Sequence, residues 1–288
     1  MQVNTEWKDY EVIATGAGEK LERWGDIKLL RPDPQVIWPA KFNLSDKKGL
    51  HAHYVRESTG GGHWKNLQSF KDEWVVSWRN LKFKIKPMGF KHTGLFPEQA
   101  VNWSKMIELI KKANKPIKVL NLFAYTGGAT VACASVGASV VHIDSSKGMT
   151  ERAKENLNAS GLRDAQVRFI IEDCQKFVER EIRRGNSYDA IIMDPPSYGR
   201  GPSGEIWKIE NNLFDFVKLC FKVLNDNPLF VLINSYTTGL QPQVIKNILE
   251  LNAREKFKKY ECEAYEVGLQ TKEDIILPCG ASGLLKFN

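Results

Sequence analysis

The sequence predicts an α/β protein: a parallel sheet flanked by helices, preceded by a small β-rich (α+β) domain. Three observations predict it. From about Pro97 onward, short apolar runs alternate with segments of helical period, the pattern of βαβ units. Before Lys91 the pattern is short β-rich runs separated by turn clusters. The chain has 288 residues, which at roughly 150 per domain leaves room for two such parts. The division is placed between residues 91 and 92, giving an accessory domain over 1–91 and a larger domain over 92–288.

In the accessory domain, Glu11 to Ala14, Ile27 to Leu30, Trp74 to Trp78 and Leu81 to Ile85 read as strands, the last alternating apolar with basic residues. Arg31-Pro32-Asp33-Pro34 and Ser58-Thr59-Gly60-Gly61-Gly62 read as turns. Five of the eight tryptophans fall between Trp7 and Trp74, with Trp78 close behind. Aromatic rings beside lysines and arginines can stack on exposed bases; filling the core of a small sheet is the simpler role and is favoured.

In the larger domain, Pro97 suits the first position of a helix whose apolar stripe is Trp103, Met106, Ile107 and Ile110. A strand over Val119 to Phe123 runs into Gly127-Gly128 and a helix of small residues. A second strand, Val140 to Ile143, ends at Asp144. Ser145 or Ser146 caps the helix carrying Met149, Ala153 and Leu157, and Gly161 closes it. A third strand, Val167 to Ile171, ends at Glu172-Asp173 and leads to a helix with Phe177, Val178 and Ile182. A fourth, Tyr188 to Met193, ends at Asp194. A helix with Leu213, Val217, Cys220, Phe221 and Leu224 then leads to a fifth strand, Leu229 to Ile233.

The composition, 42% hydrophobic and 26% charged, is that of a globular protein and not of a disordered one. No uninterrupted apolar stretch reaches the roughly 18 residues of a membrane-spanning helix, so no membrane role is expected. Met1 to Tyr10 lacks the apolar core of a secretion signal. The five cysteines are odd in number and none forms a C-x-x-C pair, which argues against a zinc ribbon or a disulfide framework and for a reduced, cytoplasmic protein. His51, His53 and His63 have no acidic or cysteine neighbour at ligand spacing, so no metal is expected. The net charge of +7 is compatible with a polyanionic partner such as RNA. A homodimer is compatible with the sequence.

The chemistry is expected at the strand ends, because ligands of open parallel sheets bind outside the carboxyl ends of the strands. The first strand is followed by Ala124-Tyr125-Thr126-Gly127-Gly128, whose glycines allow close backbone approach. Asp144 suits the two hydroxyls of a ribose, and Asp173 suits an exocyclic adenine amine. The fourth strand ends in Asp194-Pro195-Pro196-Ser197-Tyr198. Each feature also has a plainer reading: a tight turn for the glycines, helix caps for Asp144 and Asp173, a rigid corner for Asp194. In succession they favour a nucleoside cofactor. There is no G-x-G-x-x-G to cradle a diphosphate and no P-loop. S-adenosyl-L-methionine carries no phosphate and needs only close backbone approach and carboxylates, which matches.

At these residues the sequence resembles a known family. Asn121 to Gly127, His142-Ile143-Asp144-Ser145-Ser146, Glu155-Asn156 with Asn158 to Leu162, and Asp194-Pro195-Pro196-Ser197-Tyr198 are similar to class I S-adenosylmethionine-dependent methyltransferases. More narrowly, they resemble the group containing the large-subunit ribosomal RNA cytosine and guanine methyltransferases. Lys91 to Gln99 resembles that group's segment before the catalytic domain. The resemblance implies a Rossmann-like seven-stranded methyltransferase sheet whose last strand is antiparallel, a place that Leu284 to Phe287 fits. It implies a methionine moiety near Phe123, Ala124, Tyr125 and Gly127, and a ribose on Asp144 with Ser145 beside it. Adenine would lie by Asp173 and Cys174, Asp194 and Pro195 would face the sulfonium and the acceptor, and Thr93, Phe96 and Gln99 would border the pocket.

The sequence departs from the group at one point. Its cytosine-C5 members carry a nucleophilic cysteine after the fifth strand, needed because C5 reacts only after covalent attack on the base. Here that segment, Leu232 to Thr238, has none. Transfer to nitrogen needs less, chiefly alignment for in-line displacement. Asp194-Pro195-Pro196-Ser197-Tyr198 resembles the (D/N)-P-P-(aromatic) motif of amine methyltransferases, with the aromatic one place late. The reading is therefore an RNA methyltransferase acting at nitrogen, with Asp194 and Pro195 as acceptors of the target's protons and Tyr198 as the stacking ring. C5 chemistry, protein side-chain methylation and a non-catalytic binding module are the alternatives. The basic, Gly-rich run Gly199 to Gly204 reads as a lid over the site or as a surface loop.

Overall fold

The computed structural model describes residues 1–46, 48–57, 61–200 and 206–287. It divides into two compact units, Met1–Val101 with Gly268–Cys279, and Asn102–Val267 with Gly280–Asn288. The sequence placed the division at 91/92 as a single cut. The first unit instead extends ten residues further and takes back a stretch from near the C-terminus.

The first unit holds β1 (Gln2–Val3), β2 (Tyr10–Gly16), β3 (Glu19–Trp24), β4 (Ile27–Pro32), β5 (Ala52–Arg56), β6 (Gly62–Asn66), β7 (Trp74–Trp78) and β8 (Leu81–Ile85). Strands β2 to β6 form one sheet in sequential order, and β7–β8 a separate hairpin. Strand β3 is invisible to sequence patterning because Glu-Lys-Leu-Glu-Arg-Trp reads as charged. It is nonetheless central, and Glu22 is fully buried there because its partners satisfy it. Glu22 Oε1 accepts from Tyr10 Oη (2.7 Å) and Arg31 Nη2 (2.8 Å), and Oε2 accepts from Arg31 Nε. The residues Arg31-Pro32, read as the start of a turn, are the end of β4 for the same reason: Arg31 is held by its ion pair.

Burial by itself would raise the Glu22 pKa, but the charges of Arg31 and Lys20 outweigh it and bring the value down to about 2 from an ordinary 4.5. The sign follows: this depressed carboxylate stabilises the unit fully above pH 4.5, and the contribution is lost as the pH falls toward 2. Trp24, with the Tyr10 ring at 4.5 Å and the Arg31 guanidinium at 5.5 Å, is a built-in reporter. Acid titration of its fluorescence is expected to show a transition in this window, and Glu22→Gln to remove the dependence.

The tryptophans are structural. Trp24 and Trp78 are fully buried. Trp7, Trp38 and Trp64 are half-buried and donate to Pro97 O (3.0 Å), Thr15 Oγ1 (3.1 Å) and Met88 O (2.7 Å).

The second unit continues with α1 (Ala100–Lys112), β9 (Lys118–Leu122), α2 (Gly128–Ala134), β10 (Ser139–Asp144), α3 (Lys147–Ala159), β11 (Val167–Ile171), α4 (Cys174–Arg184), β12 (Ala190–Met193), β13 (Tyr198–Arg200), β14 (Ile206–Lys208), α5 (Ile209–Phe221), β15 (Phe230–Ser235), α6 (Pro242–Ala253), β16 (Tyr260–Gln270) and β17 (Ile276–Phe287). The last two strands cross the division between the units. Their sheet runs β16-β17-β15-β12-β9-β10-β11. Strands β11, β10, β9, β12 and β15 are mutually parallel, whereas β17 is antiparallel to β15. Leu120, Leu122, Ile143, Phe177, Ile191, Met193, Val217, Ile233 and Ile245 form one buried core with their neighbours.

The antiparallel strand is longer than the expected Leu284 to Phe287 because Gly280 and Gly283 dilute its pattern. Gly283 is required for packing: a Cβ there would lie 2.6 Å from Ile245 Cγ2 of α6. Helix α3 starts at Ser146, whose side chain caps Met149 N, and Gly161 follows its end with φ +73°. Among the described residues no helix is long and apolar enough to cross a membrane.

Candidate active site

The carboxyl ends of β9, β10 and β12 converge because the three strands are adjacent and in register, with Met193 opposite Leu122 and Leu122 opposite Ile143. The turn after β9 is strained. Phe123 and Tyr125 take left-handed conformations (φ +53° and +50°), and Gly127 follows at +81°. Side chains rarely tolerate this, and such strain persists only where surrounding bonds impose it. Those bonds are present. Ala124 N donates to Ile143 O (3.0 Å), Tyr125 N to Asp144 Oδ2 (2.8 Å), and Asn156 Nδ2 of α3 to Thr126 O (2.9 Å).

Asp144 is therefore a turn-pinning carboxylate, and the cap of α3 is Ser146. Its second oxygen, Oδ1, accepts from Ser146 N (2.8 Å). Burial raises its pKa above the ordinary 3.8, against the lowering effect of these two backbone donors. Ser145 beside it is exposed. Cys174 is buried, its Sγ accepting from Phe123 N (3.3 Å), and burial pushes the thiol well above its usual range, so it remains protonated. Asp173 does cap its own helix, Oδ1 accepting from Lys176 N (2.9 Å), while its side chain stays half-exposed.

Gly127 is fixed by two constraints. Its φ favours glycine, and an added Cβ would lie 2.8 Å from Ala153 Cβ of α3. Gly127→Ala is expected to destabilise the protein by about 1–3 kcal/mol. Scanning calorimetry checks this, and an unchanged melting temperature would contradict it.

Beneath the turn, Thr130 Oγ1 accepts from Asn121 Nδ2 (2.9 Å) and meets His142 Nδ1 (2.9 Å). Burial lowers the His142 pKa to about 3, so the ring is neutral. This interior amide–hydroxyl–imidazole set stiffens the floor of the site.

At the end of β12, Asp194 Oδ1 accepts from Asn234 Nδ2 of β15 (3.0 Å). Pro195 is buried, and Pro196 is exposed with its carbonyl taken by Trp207 Nε1 at 2.6 Å. Trp207 also packs its ring against Phe123 (5.5 Å) and Phe216 (5.6 Å). Ser197 Oγ meets Thr237 Oγ1 at 2.6 Å, tying the β12 corner to the segment after β15. Tyr198 lies on the hairpin strand β13, 50% exposed, with its hydroxyl accepting from Arg200 Nε (3.0 Å).

The fold thus joins Phe123, Ala124, Tyr125, Gly127, Asp144 and Cys174 by direct bonds and sets Asp194 and Pro195 on the neighbouring strand end. Thr93, Phe96 and Gln99 belong to the first unit, where Thr93 is buried and Phe96 stands 5.7 Å from the His92 ring. Gly199 and Arg200 of the expected lid are the strand β13, while its remaining residues lie outside the described ones. Sequence reasoning gave no role to Trp207 or Asn234. Nothing local marks them, since each reaches the site from a different strand.

A parallel sheet with this strand order, one antiparallel insertion beside β15 and a carboxylate-pinned turn after β9 defines the class I methyltransferase type of α/β domain. The comparisons agree. Residues 22–222 match the S-adenosylmethionine-dependent methyltransferase family. The structure of the SAM-dependent methyltransferase from Agrobacterium tumefaciens superposes with a TM-score of 0.90 at 30% identity, over 99% of this chain and 92% of that one. Ribosomal RNA large subunit methyltransferase K/L of Shewanella frigidimarina (strain NCIMB 400) is 29% identical over 74% of this chain, and that of Shewanella baltica (strain OS155 / ATCC BAA-1091) is 30% identical over 61%. The match covers 28% and 23% of those longer proteins. The chain belongs to the S-adenosylmethionine-dependent methyltransferase family, and S-adenosyl-L-methionine is its cofactor.

Proposed function

We propose that this chain methylates ribosomal RNA at a ring or exocyclic nitrogen, in the cytoplasm, without a covalent cysteine intermediate. The observation that carries the reading is the corner at Asp194. A carboxylate is held there by Asn234, beside the Asp144-pinned turn, and the segment after β15 offers hydroxyls where a nucleophilic thiol would be needed. The Shewanella relatives' names and the net charge of +7 support RNA as the acceptor.

The residues present fit the cofactor. Asp144 has one backbone donor on each oxygen, which leaves a lone pair on each for the ribose hydroxyls. The backbone of Phe123, Ala124, Tyr125 and Gly127 would hold the methionine moiety. Ser145 would lie beside the ribose, with Asp173 and Cys174 at the adenine. The cofactor supplies a methyl group already activated on a sulfonium. The protein's part is alignment. The Asp194 carboxylate and the Pro195 carbonyl accept the N–H protons of the acceptor and aim its lone pair. Trp207 already occupies the Pro196 carbonyl, which leaves Pro195 for that task. Tyr198, exposed on the hairpin, is the stacking surface for a base.

The test is mass spectrometry of ribosomal RNA nucleosides from a deletion strain beside its parent. One missing N-methylated nucleoside is expected, and an unchanged set would overturn the RNA assignment. Single Cys→Ser replacement at Cys133, Cys220, Cys262 and Cys279, the cysteines outside the cofactor site, is expected to leave turnover intact. Burial pushes Cys133 and Cys262 up to about 12 and raises Cys174, Cys220 and Cys279 too, so none forms a ready thiolate. One inactive variant that still folds would restore the C5 route.

A further inference from the structure

Behind Asp194 a line of buried polar groups crosses the second unit. Asn234 Nδ2 donates to Asp194 Oδ1 (3.0 Å). Ser282 stands directly opposite Asn234 in the β15–β17 register, and its Oγ donates to Asn234 Oδ1 (2.8 Å). Asn102 Nδ2, from α1, donates to Ser282 Oγ (3.0 Å), and Tyr265 Oη, from β16, donates to Asn102 Oδ1 (2.8 Å). The four residues behind Asp194 are almost wholly buried, at 1%, 0%, 1% and 7% exposure in that order.

Placing three amide and hydroxyl side chains and a phenol in a hydrophobic interior is costly unless each is satisfied, and apolar residues would serve packing alone as well. What this line adds is direction. Every donor points toward Asp194. Asn234 is the residue whose orientation matters, because its amide presents N–H to the carboxylate in one state and oxygen in the flipped one. The Ser282 oxygen already accepts from Asn102, so its proton is the part offered to Asn234 Oδ1, which favours the first state. Ser282 is in turn supplied with a donor by Asn102, whose own amide is oriented by the Tyr265 phenol. Burial raises the pKa of that phenol, so it stays a donor at neutral pH.

We propose that Tyr265, Asn102 and Ser282 are positioning residues for methyl transfer, acting through Asn234 to fix the orientation of the Asp194 carboxylate toward the acceptor nitrogen. This rests on the assignment of Asp194 as the group that meets the acceptor. The orientation of Asn234 itself does not.

The test uses Tyr265→Phe, which removes one hydroxyl at the far end and keeps the ring under Lys105 (4.6 Å), and Ser282→Ala in the middle. The Asn234→Asp variant assigns the side-chain amide signal. In the 288-residue chain, hydrogen exchange of the Asn234 side-chain amide, followed by NMR, is expected to be about tenfold faster in both variants, the loss of one buried hydrogen bond. Single-turnover transfer to ribosomal RNA is expected to slow by about threefold to tenfold. Affinity for S-adenosylhomocysteine should stay within about twofold of wild type, because none of these residues is at the cofactor. Asn252→Ala, which removes a buried amide of α6 bonded to Ile248 O (2.9 Å), is the control for lost stability and should change neither readout. Unchanged Asn234 exchange in both variants would overturn the proposal, as would loss of protection without slower transfer. If the wild type transfers no methyl group to RNA while the exchange results hold, the acceptor assignment has failed and the orienting line stands.

Discussion

Asp144→Ala is expected to weaken S-adenosylhomocysteine binding by about tenfold to a hundredfold in titration calorimetry. A carboxylate with hydrogen bonds to a ligand contributes about 1.5–3 kcal/mol, and here it also pins the turn that the methionine moiety would touch. Asp144→Asn keeps one acceptor oxygen and should lose less. The affinity should also fall on acidification at a higher pH than an ordinary aspartate would give. Burial raises this group's pKa above 3.8, and its protonation removes an acceptor. Wild-type affinity in the Ala variant would remove Asp144 from the cofactor site.

Asp194→Ala is expected to lower kcat by about a hundredfold with the cofactor dissociation constant little changed. Proton acceptance by a positioned group contributes about that much or more, and the Asn234 bond that orients this carboxylate would be left without a partner. Asp194→Asn can still accept a hydrogen bond and should fall in between. Single-turnover transfer with saturating cofactor separates the two terms, because a loss confined to binding would move KM and leave kcat intact. Unaltered turnover in the Ala variant would rule out Asp194 as the group that meets the acceptor.

Much of the larger domain was legible because its signals are local. Parallel strands buried on both faces read as apolar runs, such as Val140 to Ile143 and Ile191 to Met193, and the first is followed directly by a helix capped by Ser146. Strands β7 and β8 were equally plain, the second from its alternation of apolar and basic residues. Strand β3 was not, because its buried Glu22 is acceptable only when Arg31 and Tyr10 arrive from neighbouring strands. Helix α6 and strand β16 also went unread. The glycine pattern of β17 makes sense only with Ile245 packed above Gly283.

The site shows the same division. The turn after β9, Asp144 and the double-proline corner were visible because each is a short motif at a strand end. Asp173 was visible too, as an adenine contact or as the cap of its own helix, and the structure shows the cap, with Oδ1 accepting from Lys176 N. The contribution of Trp207 at the Pro196 carbonyl was not visible, because that bond joins residues on either side of a hairpin.

By itself, the sequence determined the alternation of strands and helices, the family motifs, the basic charge and the lack of a cysteine after the fifth strand. Those are properties of neighbouring residues, and spacing along the chain encodes them. Only the tertiary structure decided which groups each carboxylate faces, how the β9 turn is forced into left-handed geometry, and that Tyr265, Asn102 and Ser282 lead to Asp194. Hydrogen bonds between residues far apart in the chain depend on distance and direction in space, and strand register and helix packing fix both.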